Sequence, residues 1–194
     1  MRERQGPAAQ DPVQRVARAR IAVVGLNGGE PVGKEAWHAL ETAELVVGGR
    51  RHLGMLRPTC PVAVIEGDLL PVLDAIGAHD GMVCVVASGD PGFFGMVRSL
   101  AARFGPERLE VHPAPSSVAL AFARVGLAWD DAVVVSAHGR PLDAAIAALA
   151  NTDKAAVLTS PTNPPEAVGR ALQARAPLGQ ALQAIVCSRL GEPD

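Results

Sequence analysis

Short runs of β-branched and other apolar residues recur along this chain, separated by segments of about ten residues with helical spacing. From Arg20 onward the pattern predicts a strand at 21–26, a helix at 34–43 and a strand at 45–47. A helix at Arg50–Leu56, ended by Pro58, precedes a strand at Val62–Ile65 and a helix at 69–78 with Leu69, Leu70, Leu73 and Ile76 on one stripe. A strand at 82–87, a helix near 94–104, a strand at 108–112 and a helix at 116–125 complete this series. After Trp129-Asp130-Asp131 a second series follows: strand 132–136, helix 141–150, strand 155–159, helix 165–174 and a last strand near 182–188. Strands alternating with helices of this length predict an α/β protein, with largely parallel pairing in its first half.

Two lobes are the natural division, 20–128 and 129–194, because Gly126, the Trp-Asp-Asp run and Pro141 punctuate the middle of the chain. The second series has few strands before Glu192-Pro193-Asp194, so it reads as an abbreviated lobe that needs a neighbour or a second subunit. Residues 1–19 carry Arg2, Arg4, Arg15 and Arg18 without an apolar stretch, which predicts a disordered, weakly basic lead-in and not a secretory signal.

Composition excludes several classes. With 48% hydrophobic and 20% charged residues the chain can build a sizeable core, and a net charge of −2 supplies no basic field for nucleic acid. Aromatic residues are only 3%, with no Tyr, leaving few platforms on which bases could stack. No apolar run approaches the roughly 18 residues of a membrane span. Cys60, Cys84 and Cys187 form no CxxC pair, and the five histidines form no HxH or HExxH pattern. A disulfide framework or a metal site has little support, and a reducing, cytoplasmic setting is expected.

The candidate chemistry lies where apolar runs break. Val85-Val86-Ala87 passes into Ser88-Gly89-Asp90-Pro91-Gly92-Phe93-Phe94-Gly95, at the carboxyl end of a strand, where open α/β sheets bind ligands. Gly89 and Gly92 let backbone approach a ligand, and Asp90 places a carboxylate at the rim. Gly25-Leu26-Asn27-Gly28-Gly29 follows the first strand; Asn27 breaks the GxGxxG pattern, so the turn is either a backbone cradle for a nucleoside-type ligand or an ordinary surface turn. Gly48-Gly49 precedes Arg50, Arg51 and His52, a cluster suited to carboxylates, or simply a solvated basic turn. His112-Pro113-Ala114-Pro115-Ser116-Ser117-Val118 leads rigidly into a helix that a serine can cap. Ser136-Ala137-His138-Gly139-Arg140 ends a strand of the second series, where His138 reads as a structural histidine or as an acid, base or donor. No Ser-His-Asp or Cys-His order emerges, and no catalytic residue is assigned.

Together the strings VVGGRRHL, ASGDPGFFG, PAPSSVALAFARVGL with the following Trp-Asp-Asp, and VVSAHGRP resemble the tetrapyrrole (corrin and porphyrin) methylases. The resemblance is to the precorrin-6Y C-5,15-methyltransferase branch, in its C-5-methylating subunit or amino-terminal domain, and it covers about residues 20–191. It implies a two-lobed α/β fold, with S-adenosyl-L-methionine in a cleft between an N-terminal parallel-sheet lobe and a smaller C-terminal lobe. It also implies a homodimer. Cofactor contacts fall by motif on Leu26, Gly89, Asp90, Phe93, Ser117, Val118, Ala137 and His138, while Arg50, Arg51, His52 and Arg140 are candidates for substrate carboxylates. The implied reaction is methylation of C-5 of precorrin-7 or its cobalt form, yielding S-adenosylhomocysteine. Decarboxylation and C-15 methylation belong to a separate or fused domain. A nicotinamide-dependent oxidoreductase is disfavoured by the failed GxGxxG, and a non-catalytic corrinoid-binding or scaffold module is the alternative.

Overall fold

In the computed structural model, residues 20–149, 152–175 and 183–191 are described. The lead-in expected at 1–19 lies outside them. The chain divides into two units between Ala114 and Pro115, ahead of the helix at 117–125. The punctuation at 127–131 therefore falls inside the second unit. Phe122 stacks on Trp129, with ring centroids 6.2 Å apart, which ties that helix to the residues following it.

The first unit runs β1 (Ile21–Asn27), β2 (Glu30–Pro31), α1 (Lys34–Glu41), β3 (Leu45–Gly49), α2 (Arg50–Leu56), β4 (Val62–Ile65), α3 (Leu70–Ala78), β5 (Val83–Ser88), α4 (Val97–Phe104) and β6 (Leu109–His112). A 3-10 turn at Pro106–Arg108 joins α4 to β6. β1 lies between β5 and β6, parallel to both, and makes a short antiparallel hairpin with β2. β5 in turn pairs with β3, and β3 with β4, again in parallel.

Strands β1, β3 and β5 are covered on both faces, which is why they read as continuous apolar runs with no polar alternation. Ile21, Val23, Leu45, Val47, Val83 and Val85 turn one way and pack with Val72, Leu73 and Ile76 of α3 and Leu100 of α4. Ala22, Val24, Val46, Cys84 and Val86 turn the other way, with Ala36 of α1 and Leu53 of α2.

Two local expectations change. On α3 the buried stripe is Val72, Leu73 and Ile76 with Leu69 beside it, whereas Leu70 is 63% exposed. Leu69 is the cap of that helix, so the i, i+3, i+7 row starts there and leaves Leu70 off the stripe. Helix α4 starts at Val97, not 94, because the preceding loop folds on itself: Phe94 has φ +56°, and a Cβ on Gly95 would lie 2.5 Å from the Pro91 carbonyl oxygen.

The second unit comprises α5 (Ser117–Val125), β7 (Val133–Ser136), α6 (Leu142–Ala147), β8 (Ala155–Leu158) and α7 (Pro165–Arg175). β7 and β8 pair in parallel. The strand expected near 182–188 is absent over 183–188, where Ile185 and Val186 are 59% and 68% exposed. Among the described residues no neighbouring strand offers this β-branched pair a ladder, and propensity alone does not form a strand.

Candidate active site

In the first unit the carboxyl ends of the parallel strands meet along one edge of the sheet. The connection leaving β1 crosses to β3 by way of α1, on one face. The connection leaving β5 returns to β6 by way of α4, on the opposite face. The chain therefore parts to both sides between β1 and β5, and this divergence opens a crevice of the kind in which doubly wound sheets hold ligands.

Leu26 and Gly89 stand on either side of that point. The Gly89 N–H donates to the Leu26 carbonyl at 2.8 Å, with Leu26 opposite Ser88 in the ladder. A Cβ on Gly25 would lie 2.2 Å from the Gly89 carbonyl oxygen and 2.5 Å from the Ala114 nitrogen, so only glycine permits this approach. The Leu26 side chain itself is 3% exposed and belongs to the core, leaving its backbone as the part that reaches the edge. Gly89 turns at φ +64°, and the Asp90 Oδ1 accepts the Gly92 N–H at 2.8 Å, an Asx turn that shapes the loop. The Phe93 N–H donates to the Asp90 carbonyl at 3.1 Å, and the Phe93 ring meets Phe94 edge to face at 4.9 Å.

The basic cluster divides by partner. Arg50 pairs with Glu66 across exposed surface, an arrangement that adds little stability but holds the guanidinium near β4. Arg51 is exposed. His52 Nε2 lies 2.8 Å from Ser88 Oγ, joining the first turn of α2 to the end of β5. Burial, with a smaller contribution from Arg51, holds the His52 pKa below its ordinary value of 6.5. At neutral pH His52 is therefore an uncharged hydrogen-bonding ring, not a third cation.

The second unit gathers its own set. Ser116 caps α5, its Oγ accepting the Ala119 N–H at 3.1 Å, so Ser117 in the first turn is left exposed while Val118 is buried. At the end of β7 the Ala137 N–H donates to the Leu158 carbonyl at 2.8 Å. Asn163 Nδ2 donates to the Ala137 carbonyl at 2.8 Å and the Arg140 carbonyl at 2.9 Å. His138 Nδ1 lies 3.4 Å from the Thr159 carbonyl oxygen, and its backbone N–H bonds Ser136 Oγ at 3.3 Å. Ala137, His138 and Arg140 thus sit on one loop that Asn163 pins to the end of β8.

Sequence reasoning singled out neither Ser88, Glu66, Asn27 nor Asn163 as site residues. Ser88 and Asn27 stood inside quoted motifs, and their position at strand ends was the available signal. Asn27 Oδ1 is buried without a hydrogen-bond partner, an acceptor left unsatisfied at the end of β1. An orphaned acceptor at this edge of the sheet suits an amino- and hydroxyl-bearing nucleoside such as S-adenosylmethionine. Among the described residues no group of three His, Cys, Asp or Glu side chains is placed to hold a metal ion. No helix among them is long and apolar enough to cross a membrane.

The family model for tetrapyrrole (corrin/porphyrin) methylases matches residues 20–194. The chain belongs to that family. A precorrin-6Y C(5,15)-methyltransferase (decarboxylating) from a Sinorhizobium species is 39% identical over 62% of this chain, which spans only 30% of that relative's length. A cobalt-precorrin-7 C(5)-methyltransferase from Salmonella typhimurium is 33% identical over 80% of this chain and 78% of its own. The crystal structure of a precorrin-6Y methylase from Archaeoglobus fulgidus shares the fold, with a TM-score of 0.56 at 22% identity over 79% of each chain.

Proposed function

We propose that this methylase transfers a methyl group from S-adenosyl-L-methionine to C-5 of precorrin-7, or of its cobalt form, within cobalamin biosynthesis. The observation that carries the reading is the match to the Salmonella C(5)-methyltransferase over most of both chains, together with an intact SGDPGFFG loop at the divergence of β1 and β5. Leu26, Gly89, Asp90 and Phe93 would hold the cofactor from the first unit. Ser117, Val118, Ala137 and His138 are its proposed contacts in the second, carried by the family resemblance. When bound, S-adenosylmethionine supplies an electrophilic methyl carbon on a sulfonium.

The ring carbon that receives it is already an electron-rich, enamine-type nucleophile. The protein's task is then mostly alignment, which in favourable cases lowers a barrier by roughly 7–11 kcal/mol. Arg50, Arg51 and Arg140 are the groups proposed to meet the acetate and propionate side chains of the ring, because guanidinium forks onto carboxylates. A cytoplasmic homodimer, working with a fused or separate decarboxylating C-15 methyltransferase, completes the proposal.

The test is a calorimetric titration with S-adenosylhomocysteine, followed by transfer of labelled methyl to a precorrin-7 preparation. Saturable binding near one site per chain, then label in the corrinoid, is the expected result. Binding without transfer would favour a corrinoid-binding module that does not turn over.

A further inference from the structure

We infer that the Ser88–His52 pair takes up the proton that leaves C-5 of the ring once the methyl group is in place. The inference rests on the methyl-transfer reading above and extends it to a step for which no residue has been assigned. Charge balance requires the step. A sulfonium becomes a neutral thioether while a ring C–H becomes a ring C–CH3, so each turnover sheds one proton.

The bonds balance as follows. The ring's enamine electron pair forms the new C–C bond, and the C–S pair leaves with sulfur, giving a cationic ring. The C-5–H bond then breaks, its electrons return to the ring, and the proton passes to Ser88 Oγ. The hydroxyl proton of Ser88 passes to His52 Nε2, and the imidazolium releases it to water.

Three observations support this placement. Ser88 is exposed at the carboxyl end of β5, next to Gly89 of the loop at the sheet's divergence. Its hydroxyl lies 2.8 Å from His52 Nε2, a distance ready for proton transfer. His52 is held neutral by burial and by Arg51, so it can accept a proton at neutral pH and give it up quickly. The charged groups around the ring are Arg51 beside it on α2 and Arg50, which is paired with Glu66. Neither the strand that ends at Ser88, Val83–Ser88, nor those on its two sides, Ile21–Asn27 and Leu45–Gly49, contains a charged side chain. Ser88 relays the proton, and His52, acting through it, is a positioning residue.

The experiment compares wild type, His52→Gln and Ser88→Ala in the full chain from pH 5 to 8, measuring S-adenosylhomocysteine binding and, in a single turnover, the appearance of the deprotonated methylated ring by its absorbance, which follows proton loss and not methyl transfer alone. Wild type should lose rate on the acid side, with a midpoint below 6.5. Both variants should bind S-adenosylhomocysteine as wild type does, turn over on the order of 100-fold more slowly, and lose the acid limb. The double variant should be no slower than the worse single one, because the two residues act as a unit. Variants that keep both the wild-type rate and its acid limb overturn the inference. So does a uniform loss that leaves the limb in place, which would mark a merely structural role. If His52→Gln does not fold, Ser88→Ala, which removes one exposed hydroxyl, decides by the same readouts. A wild type that binds S-adenosylhomocysteine but methylates no corrinoid overturns the substrate reading itself, and this inference with it.

Discussion

The Gly89 N–H and the Leu26 carbonyl, 2.8 Å apart, fasten the exit of β5 to the exit of β1 through backbone atoms alone. The Gly89 carbonyl oxygen, in the next peptide unit, occupies the space a Cβ on Gly25 would need.

Gly25→Ala should therefore be severe for so small a change. The added methyl would meet two backbone atoms, Gly89 O at 2.2 Å and Ala114 N at 2.5 Å, neither of which can swing aside as a side chain would. Overpacking of this kind costs about 1–3 kcal/mol. Thermal unfolding should show the loss, and S-adenosylhomocysteine binding should weaken with it; an unchanged melting temperature would contradict the geometry.

Asp90 separates shape from charge. Asp90→Ala removes the acceptor of the Gly92 N–H, a contact worth about 0.5–1.5 kcal/mol. If the loop holds the cofactor, S-adenosylhomocysteine should bind up to roughly tenfold more weakly. Asp90→Asn keeps an oxygen for the turn and should restore most of the affinity if the turn is what matters. Equal affinity for wild type and Asp90→Ala would remove this residue from the cofactor site.

Cys84 should be inert. It lies fully buried on β5, and burial, with the nearby Cys60, pushes its thiol up to about 12. Cys60 and Cys187 are both partly exposed. Thiol reagents at neutral pH should modify Cys60 and Cys187 in the native protein and reach Cys84 only on unfolding, as mass spectrometry of the labelled chain would reveal. Fast labelling of Cys84 would show that the sheet opens.

His52 sets a direction for stability against pH. Its folded pKa lies below the unfolded value of 6.5, so in the window between the two the unfolded chain binds more protons. Stability should fall as pH drops from 6.5 through the folded pKa and then level off, as far as this group is concerned. Denaturant midpoints at pH 7.5 and 5.0 should differ less in His52→Gln than in wild type. An equal difference would mean that the ring titrates alike in both states.

Asn163 clamps the loop that carries Ala137, His138 and Arg140. Asn163→Ala leaves the buried Ala137 carbonyl without its side-chain partner, at a cost of about 1–3 kcal/mol. Chemical denaturation should register that loss; a midpoint equal to wild type would mean that another group replaces the amide.

What could be read in advance follows from where the information is local. Arg50–Leu56 and Val62–Ile65 form as expected, because Gly48-Gly49, Pro58 and Pro61 mark their ends in the chain itself. The two-residue β2 has no pattern of its own and exists only as the return of the β1 hairpin. The later start of α4 depends on how the loop packs on Pro91, and the missing strand at 183–188 on the lack of a partner among the described residues, neither of which is a property of the local residues. The site divides in the same way. Gly89, Asp90 and the basic cluster announce themselves as breaks after apolar runs. The bond between Ser88 and His52, 36 residues apart, appears only once β5 lies beside β3, and that strand order is not written in either motif.

That strand order also sets a timetable. β3 and β4 are neighbours in the chain and can pair early, but β1, apart from its short hairpin with β2, finds its partners only in β5 and β6. During synthesis β1, whose residues 21–26 all end up buried, must wait without its parallel partners while three helices and three strands are made. Such long-range parallel pairing is intrinsically slow and exposes sticky intermediates. The crevice at the β1–β5 divergence is thus completed by the same event that ends this vulnerable interval, so a nascent chain able to grip its ligand is one whose sheet has already closed.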